Sequence, residues 1–402
     1  PAYYRWIPYG FYVQFIHKRT FLFAAGFPAS LVLIFWFFYM GITDQWYQFE
    51  EGWPLTLTML FGSFIAGASS EGGGAIAFPV MTLILNVNPL VARDFSIMIQ
   101  SFGMTSASFL ILYLRIRVEY RALIWSTLGG VAGVMIGLSF VAPNLNSTVI
   151  KVTFIAVWMS FVIALLIMNW GSFRGRSRKV FRMIPRFNWW KAGTLVLFGF
   201  AGGVLTSMTG SGIDLFTFSM MTLLFRISEK TATPTSVILM AINTVVAVIW
   251  QGSMYGLSEQ ALTYLWCAVP VAVIMAPVGA YVISYAHRLT HAVIVMVLDA
   301  IQFVVALVVI DMTGPLWGLC FGALGIGSVL WGTLGILGHH FMKYMVSIGA
   351  HPDEKALTIA EEHCGFQSEV NLLTTEDILH EPLPSASDSS EDIHIELKEI
   401  LS

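Results

Sequence analysis

The sequence Ser69-Ser70-Glu71-Gly72-Gly73-Gly74 interrupts an apolar stretch at residues 55–85, and Thr206-Ser207-Met208-Thr209-Gly210-Ser211-Gly212 interrupts a second one at residues 192–225. Each interruption leaves two apolar legs of about 11–14 residues, which as helix would cover roughly 16–21 Å. The hydrocarbon core of a membrane is ~30 Å thick, so such a leg reaches its middle and falls short of the far side. The two stretches therefore predict helices that break inside a membrane.

The rest of the chain has the composition of a membrane protein. Of its 402 residues, 56% are hydrophobic and 11% are charged, whereas a soluble domain carries about a quarter charged residues. The mean hydropathy is +0.74. Outside the two interrupted stretches, apolar residues fall in runs of roughly twenty, the length that crosses a bilayer as helix. Eight crossings are predicted, near residues 21–40, 94–114, 120–142, 148–169, 234–251, 261–284, 290–310 and 316–338.

The distribution of lysine and arginine predicts how the interrupted stretches lie in the membrane, because cytoplasmic loops collect basic residues. If both stretches crossed fully, the basic residues of segments 115–121 and 174–191 would face outward. If both are re-entrant hairpins, these residues face the cytoplasm together with the N-terminus. The re-entrant arrangement is therefore predicted, with both termini cytoplasmic. Arg93 and Lys151 are then left on the outer side, where they could draw anions inward or simply be solvated.

This topology divides the chain into two halves, each with one hairpin followed by three crossings. Because three is odd, the second half would be inverted relative to the first, an arrangement typical of secondary transporters. Identities at a spacing of 140 residues support a duplication, since Met81-Thr82-Leu83 matches Met221-Thr222-Leu223. The predicted fold is an all-α polytopic membrane protein. It has two inverted repeats, each a re-entrant broken-helix hairpin plus three transmembrane helices, with one extra helix at each end.

Acidic residues are concentrated at the C-terminus, where 13 of the 24 lie between Asp353 and Ser402. Such a composition is typical of disordered, solvated segments, so a disordered cytoplasmic tail is predicted, which could offer a surface to a cytosolic partner. The predicted segments are residues 1–54 with the first transmembrane helix, 55–170 as repeat 1, 171–191 as a basic cytoplasmic loop, 192–312 as repeat 2, 313–345 as the last transmembrane helix and 346–402 as the acidic tail.

The two tips carry groups suited to binding a small anion. A backbone that leaves helical geometry in hydrocarbon exposes N–H donors, and the helix that follows turns its positive N-terminal end toward the protein centre. Glycine permits close approach of a ligand, and hydroxyl side chains add donors. Gln100 and Asn243, in the first crossing after each hairpin, could line the path or tie helices together. The candidate substrate-binding residues are Ser69, Ser70, Gly72, Gly73, Gly74, Gln100, Thr206, Ser207, Thr209, Gly210, Ser211, Gly212 and Asn243.

Glu71, Asp214 and Asp299 are predicted at membrane depth, where ionisable groups are costly and are candidates for function. Glu71 and Asp214 flank the tips, so they would repel an anion unless they are protonated or matched by a cation. Burial favours the protonated form of a carboxyl group, which suits proton coupling. The alternative is that each accepts hydrogen bonds that hold a tip in place, and Asp299 likewise is either a proton relay or a structural partner.

Other glycines in the crossings have a different explanation. Gly129, Gly133 and Gly137 are spaced four apart within one predicted crossing. Small residues at this spacing allow membrane helices to approach closely. They are therefore predicted to serve helix packing rather than substrate binding.

The hairpin motifs also carry a family resemblance. Gly72-Gly73-Gly74-Ala75-Ile76-Ala77-Phe78-Pro79 in the first half, and Thr209-Gly210-Ser211-Gly212 with Ala232-Thr233-Pro234-Thr235-Ser236 in the second, are similar to the TauE/SafE family of sulfite and organosulfonate exporters. The resemblance covers residues 55–312. It implies transport of a small sulfur-containing anion of the sulfite, sulfonate or thiosulfate class. The chain departs from the family at Ile213-Asp214, where further small residues are common.

Two other classes of function were compared with secondary transport. An intramembrane enzyme is disfavoured, since no zinc motif, Ser–His arrangement or nucleotide loop appears at membrane depth. No cofactor, metal or nucleic acid is expected. A non-transporting receptor or scaffold that acts through the acidic tail is the alternative. The prediction is a secondary transporter, with proton coupling open, that lies among membrane lipid in the plasma membrane rather than an internal membrane.

Overall fold

The computed structural model describes residues 9–69, 71–173, 180–285 and 288–349, and within these ranges its regular secondary structure is entirely helical. The predicted all-α class is thus confirmed. Five-residue π-helical segments follow α3, α5 and α8. The helices are α1 (Tyr9–Thr43), α2 (Gln48–Ala68), α3 (Gly74–Pro79), α4 (Pro89–Tyr113), α5 (Tyr120–Ile136), α6 (Ser147–Phe173), α7 (Trp189–Thr209), α8 (Ile213–Ser219), α9 (Glu229–Met254), α10 (Glu259–Tyr285), α11 (Arg288–Val309) and α12 (Gly314–Ser347).

Within the described residues, eight helices are long and apolar enough to cross a membrane. Seven of them coincide with predicted crossings, and the chain is therefore a multi-pass integral membrane protein. The eighth is Trp189–Thr209, which the sequence predicts as a hairpin leg. The predicted crossing at 290–310 corresponds to α11. The seven are Thr20–Thr43, Pro89–Tyr113, Tyr120–Asn144, Ser147–Ile167, Glu229–Met254, Glu259–Ser284 and Gly314–Ser347.

The first leg of each interrupted stretch is longer than the sequence predicts. Helices α2 and α7 each run for 21 residues, which is about 31 Å of helix. The prediction is wrong here because the helix continues through polar and aromatic residues before the apolar stretch, Gln48–Gly52 in α2 and Trp189–Lys191 in α7. The second legs, Gly74–Ile84 and Ile213–Leu224, have the short length that was predicted.

The chain reverses direction at both interruptions. After α2, Ile76 of α3 lies beside Gly62, where a β-carbon would be 3.5 Å from Ile76 Cγ2. Gly210 ends α7 with a left-handed φ of 84°. Phe216 of α8 then packs against Phe198 of α7, with ring centroids 6.2 Å apart. Each interrupted stretch is therefore a hairpin with a long first leg and a short second leg.

The local structure of the two second legs is duplicated at the spacing seen in the sequence. Val80–Ile84 and Met220–Leu224, which are 140 residues apart, are both five-residue π-helices. Within them, the hydroxyls of Thr82 and Thr222 each donate a 2.8 Å hydrogen bond to the carbonyl four residues earlier. The identities at this spacing thus lie in two segments with the same local structure.

The first leg of each hairpin packs against a helix from the other half of the sequence. Helix α2 of the first half packs along α10 of the second, with Gly67 against the carbonyl of Ala276. Helix α7 of the second half packs along α5 of the first, and α4 and α9 contact each other. A β-carbon at Gly129, Gly133 or Gly137 would overlap atoms of α7. The prediction that these three glycines serve helix packing is therefore confirmed.

Several connecting segments lie together at one end of the bundle. Glu119, before α5, accepts a 2.7 Å hydrogen bond from the Ile184 N–H, in the segment before α7. Arg186 of the same segment donates a 2.6 Å bond to the carbonyl of Ile348, after α12. The predicted disordered tail lies outside the described residues, which end at residue 349.

Candidate functional site

Both hairpin tips meet α4 within one helical turn. A β-carbon at Gly74 of the first tip would lie 3.1 Å from Ser96 Cβ, and one at Gly210 of the second tip would overlap Ser96 Cβ. Gln100, one turn later, lies against Gly72 and Gly74. Both Ser96 and Gln100 are fully enclosed by protein, with 0% and 1% of their surface exposed. The structure therefore brings the two predicted tips together inside the protein.

Gln100 joins the second tip to the first. Its Nε2 donates hydrogen bonds to the carbonyl of Gly210 at 2.7 Å and to the carbonyl of Ser96 at 3.0 Å. Its Oε1 has no hydrogen-bond partner among the described residues and points to Gly72, where a β-carbon would overlap it. Glycine at position 72 thus lets the Gln100 side chain approach the backbone closely, and an amide oxygen is left unpartnered between the tips.

Asp214, at the start of α8, holds both tips. Its Oδ2 accepts a 2.5 Å hydrogen bond from the Gly72 N–H of the first tip. In the second tip, its Oδ1 accepts a 2.9 Å bond from the Gly212 N–H, and its Oδ2 accepts a 3.1 Å bond from the Ser211 hydroxyl. The donors that the sequence offers to a ligand at Gly72 and Gly212 therefore serve a carboxylate of the protein itself.

The hydroxyl groups of the second tip are also engaged within the hairpin. Thr206 Oγ1 accepts from the Ile213 N–H at 3.0 Å, and Thr209 Oγ1 donates to the carbonyl of Ser211 at 2.8 Å. Ser207 donates to the carbonyl three residues before it. These side chains stabilise the break in the helix, which is why polar residues are tolerated there. In the first tip, Ser69 Oγ accepts from the Glu71 N–H, and Ser70 lies outside the described residues.

The carboxyl groups of Glu71 and Asp299 face each other. Each residue has 2% of its surface exposed. They lie close enough to form a hydrogen bond when one of them carries a proton. Among the described residues, neither oxygen of Asp299 has a hydrogen-bond donor, and neither does Oε1 of Glu71. The three predicted acidic residues thus lie near one another, since Asp214 also interacts with Glu71.

Asn243 lies on α9 beside the start of α8. It is fully buried, and neither its Oδ1 nor its Nδ2 has a partner among the described residues. A β-carbon at Gly130 would lie 3.1 Å from Asn243 Oδ1 and would overlap Ile213 Cδ1. A buried amide without a partner costs free energy, so the second tip also has a polar group available to a ligand.

Sequence reasoning missed two residues that contact the tips. Ser96 has an unpartnered buried hydroxyl between Gly74 and Gly210. The Met240 side chain lies against Gly72, where a β-carbon would be 2.9 Å from Met240 Cε. The 140-residue spacing could have revealed Met240, because that position is the counterpart of Gln100.

The two cations predicted on the outer side are both engaged. Arg93 is buried and forms a 2.6 Å ion pair with Asp94, which also accepts a 3.3 Å hydrogen bond from the Ser258 N–H. Lys151 Nζ donates a 2.9 Å bond to the carbonyl of Thr82. Arg93 is therefore a structural ion-pair partner here, rather than a solvated residue of an outer vestibule. Among the described residues, no group of three or more His, Cys, Asp or Glu side chains is arranged to hold a metal ion.

Comparison with known proteins gives one match. A protein-family model described as sulfite exporter TauE/SafE matches residues 55–309. The matched range includes both tips, α4 with Gln100 and α11 with Asp299. No curated protein and no solved structure matches the chain.

Proposed function

The chain belongs to the sulfite exporter TauE/SafE family, a family of membrane transporters, and from that premise we propose that it is a secondary transporter of a small sulfur-containing anion. Sulfite, a sulfonate or thiosulfate is the proposed substrate class. The proposed site lies between the two hairpin tips, with Gln100 and Asn243 as polar contacts. No catalytic residue is assigned, since transport by this route makes and breaks no covalent bond.

One observation carries the proposal: both tips converge on the same turn of α4. Ser96 touches Gly74 of one tip and Gly210 of the other, and Gln100 contacts both tips. Two buried groups at this point are unpartnered: the Ser96 hydroxyl, which can donate to an anion, and the Gln100 Oε1, which is an acceptor. Non-helical backbone at membrane depth is tolerated where it is buried in protein or lines a cavity. In secondary transporters the substrate site lies at such helix breaks, so this convergence supports a substrate site.

The proposed cycle moves one half of the protein against the other. We propose that both hairpins are re-entrant and that the two halves are inverted repeats. The duplicated π-helical legs and the reciprocal packing of α2 on α10 and α7 on α5 support this arrangement. Because each hairpin packs against the opposite half, a tilt of one half would carry a tip across the site, which is the geometry of alternating access.

The proposed orientation places both termini in the cytoplasm, in the plasma membrane. The contacts of Glu119 with Ile184 and of Arg186 with Ile348 gather the basic segments before α5 and α7 at the end where α12 finishes. Clustering of basic residues at one end of a bundle is the pattern of a cytoplasmic face. Accessibility of single cysteines introduced at Arg117 and Asp311 to a membrane-impermeant label on intact cells tests it: only the Asp311 position should react.

The acidic residues near the proposed site suggest how transport of the anion is coupled to protons. An anion placed near Glu71, Asp214 and Asp299 is repelled unless protons neutralise part of their charge. We therefore propose that the anion moves together with protons. Such coupling would make accumulation of the anion depend on the pH difference across the membrane, and an uncoupled carrier would only equilibrate the anion.

The test is uptake into sealed proteoliposomes that contain the full chain. Labelled sulfite, sulfate, thiosulfate and taurine are compared with and without a pH gradient, and protein-free vesicles give the background. Uptake of at least one reduced sulfur anion or sulfonate above background, with weaker uptake of sulfate, is expected. Background rates for all four compounds would contradict the proposed function.

A glycine substitution tests the position of the site. At Gly73 a β-carbon would meet the flexible end of Met59 at 3.3 Å, so the first carbon of a side chain there needs only a small adjustment. At Gly212, φ is 156° and Leu205 Cβ would lie 2.8 Å away, so a side chain there disturbs the fold itself. Gly73→Leu is expected to lose uptake while it keeps a normal elution profile in detergent. Full uptake by this variant would contradict the proposed site.

A further inference from the structure

The buried carboxyl groups near the first tip differ in the hydrogen-bond donors that surround them. Asp214 receives hydrogen bonds from the Gly72 N–H, the Gly212 N–H and the Ser211 hydroxyl. Several donors favour the ionised form of a carboxyl group. Asp299 and the Oε1 of Glu71 receive none from the described residues, although each residue has only 2% of its surface exposed. These two groups therefore need another way to satisfy their oxygens.

Two further unpartnered acceptors lie on elements adjacent to the Glu71–Asp299 pair. Gln100 Oε1, which is 1% exposed and unpartnered, lies beside Gly72, next to Glu71 in the chain. Gln302 Oε1, one turn after Asp299 on α11, is also unpartnered. The charged group that faces the pair from the second hairpin is Asp214, which is itself negative. Carboxyl oxygens that lack donors are suited to bind a proton.

A single proton can join the two carboxyl groups through one hydrogen bond. When one carboxylate binds a proton, it becomes a neutral acid whose O–H donates to the carboxylate that faces it. Each group then has a partner, and the pair carries one negative charge instead of two. Charge-assisted O–H···O⁻ bonds are among the stronger hydrogen bonds in proteins. Two interacting carboxyls of this kind release their protons as a pair rather than as separate residues.

We propose that Glu71 and Asp299 together bind one proton and form the proton site of the transport cycle, while Asp214 keeps a structural role. This inference rests on the proposed transport function. Glu71 lies at the tip that follows α2, which packs along α10, whereas Asp299 lies on α11, which packs along α6, so movement between these two helix pairs would separate them. Separation removes the partner of the protonated acid and exposes it to water, and the proton is released.

The matched variants are Glu71→Gln and Asp299→Asn, each of which replaces a carboxyl by a neutral amide of similar shape. The control is Asp311→Asn, which removes an exposed carboxyl just beyond the end of α11. Two transport readouts are measured in proteoliposomes with labelled sulfite and corrected for leak through protein-free vesicles. One is exchange at equal pH on both sides, and the other is accumulation driven by a pH gradient.

Asp299→Asn is expected to retain exchange close to that of the unmodified protein and to lose accumulation driven by the pH gradient. Asp311→Asn is expected to retain both. Accumulation by Asp299→Asn equal to that of the unmodified protein would overturn the proton site. If the unmodified protein moves no sulfite above leak, sulfite is not its substrate. The proton site is then tested by a measurement that needs no substrate.

That measurement is pH-difference infrared spectroscopy of the purified full chain in lipid, which detects the C=O stretch of a protonated carboxyl group. A titrating carboxylic acid band is expected in the unmodified protein and in Asp311→Asn. The same band should be shifted or abolished in both Glu71→Gln and Asp299→Asn, because the proton belongs to the pair. A band that is unchanged in both variants would overturn the inference, whatever the transport results are.

Discussion

The backbone N–H of Gly72 donates a 2.5 Å hydrogen bond to Oδ2 of Asp214, a residue 142 positions later in the chain. A side chain of the second hairpin therefore holds the tip of the first. The same carboxylate accepts hydrogen bonds from the Gly212 N–H and the Ser211 hydroxyl of its own hairpin. The two breaks in the membrane helices are thus stabilised as one unit, and neither tip has its observed hydrogen bonding without the other.

Replacement of Asp214 by asparagine should destabilise the protein and abolish transport. Asparagine has one acceptor oxygen, so the N–H of either Gly72 or Gly212 loses its partner inside the protein. An orphaned buried donor costs about 1–3 kcal/mol. Thermal unfolding in lipid nanodiscs measures this loss. Ser211→Ala is the control, because it removes only one donor to the same carboxylate and should have a smaller effect. An unchanged melting temperature in Asp214→Asn would show that the carboxylate does not hold the tips.

Substitutions at two glycines with nearly equal φ angles can distinguish the cost of backbone strain from the cost of steric overlap. Gly210 has φ 84° and Gly256 has φ 79°, but a β-carbon at Gly210 would overlap Ser96, whereas nothing lies within 4 Å of one at Gly256. Gly256→Ala should cost only the left-handed strain, about 1–2 kcal/mol. Gly210→Ala should cost more and should also lose transport. Equal losses of stability in the two variants, measured by chemical unfolding, would argue against tight contact between the second tip and α4.

Glu119 should hold the segment before α7 in place at the end of the bundle where α12 finishes. Its carboxylate accepts from the Ile184 N–H at 2.7 Å and from the Arg121 N–H at 3.3 Å, and it is fully buried. Hydrogen bonds to charged groups contribute about 1.5–3 kcal/mol, so Glu119→Ala should speed hydrogen exchange at Ile184 by about tenfold or more. Exchange is followed by mass spectrometry of peptides that contain this residue.

The control for this measurement is Glu259→Ala, which removes an exposed carboxylate from the first turn of α10. Exchange at Ile184 should remain slow in this variant. Fast exchange in both variants, or in neither, would mean that Glu119 does not hold the segment.

The class of fold and the position of the hairpins follow from local features of the sequence. Apolar runs of membrane length predict seven of the eight spanning helices, and the polar, glycine-rich interruptions mark both tips. The leg lengths are wrong because the boundary of an apolar run is not the boundary of a helix. Gln48 and Glu50 in α2, and Lys191 in α7, remain helical although they are polar, since helix boundaries follow backbone hydrogen bonding rather than hydropathy.

The details of the site depend on contacts between residues far apart in the chain. Nothing near Asp214 in the sequence indicates that it accepts from Gly72, or that Glu71 faces Asp299. For that reason the sequence does not distinguish the three acidic residues by their hydrogen bonding. In the structure, Asp214 accepts hydrogen bonds from several donors, whereas both oxygens of Asp299 and the Oε1 of Glu71 have no donor among the described residues. Arg93 illustrates the same limit, because its partner Asp94 is adjacent in sequence but the burial of the pair is set by the packing of α4.

Gln100 provides the most direct test of a site between the tips, because the duplication supplies a natural replacement. Its counterpart 140 residues later is Met240, which also lies against Gly72. Methionine is similar in length to glutamine and flexible enough to fill irregular space, so Gln100→Met should fold. It removes the 2.7 Å hydrogen bond to the Gly210 carbonyl, at a cost of about 1–2 kcal/mol. Transport in proteoliposomes should fall to background.

A binding measurement separates this effect from the loss of stability. A ligand that binds the folded protein raises its melting temperature, so sulfite or the preferred sulfonate should raise that of the unmodified protein and leave Gln100→Met unchanged. Ser101→Ala is the matched control. The neighbouring serine donates only to the carbonyl of Met98, three residues earlier on the same helix, so this variant should transport and bind normally. Because Gln100 contacts both tips, normal transport and a normal ligand-induced shift in Gln100→Met would exclude the space between the tips as the substrate site.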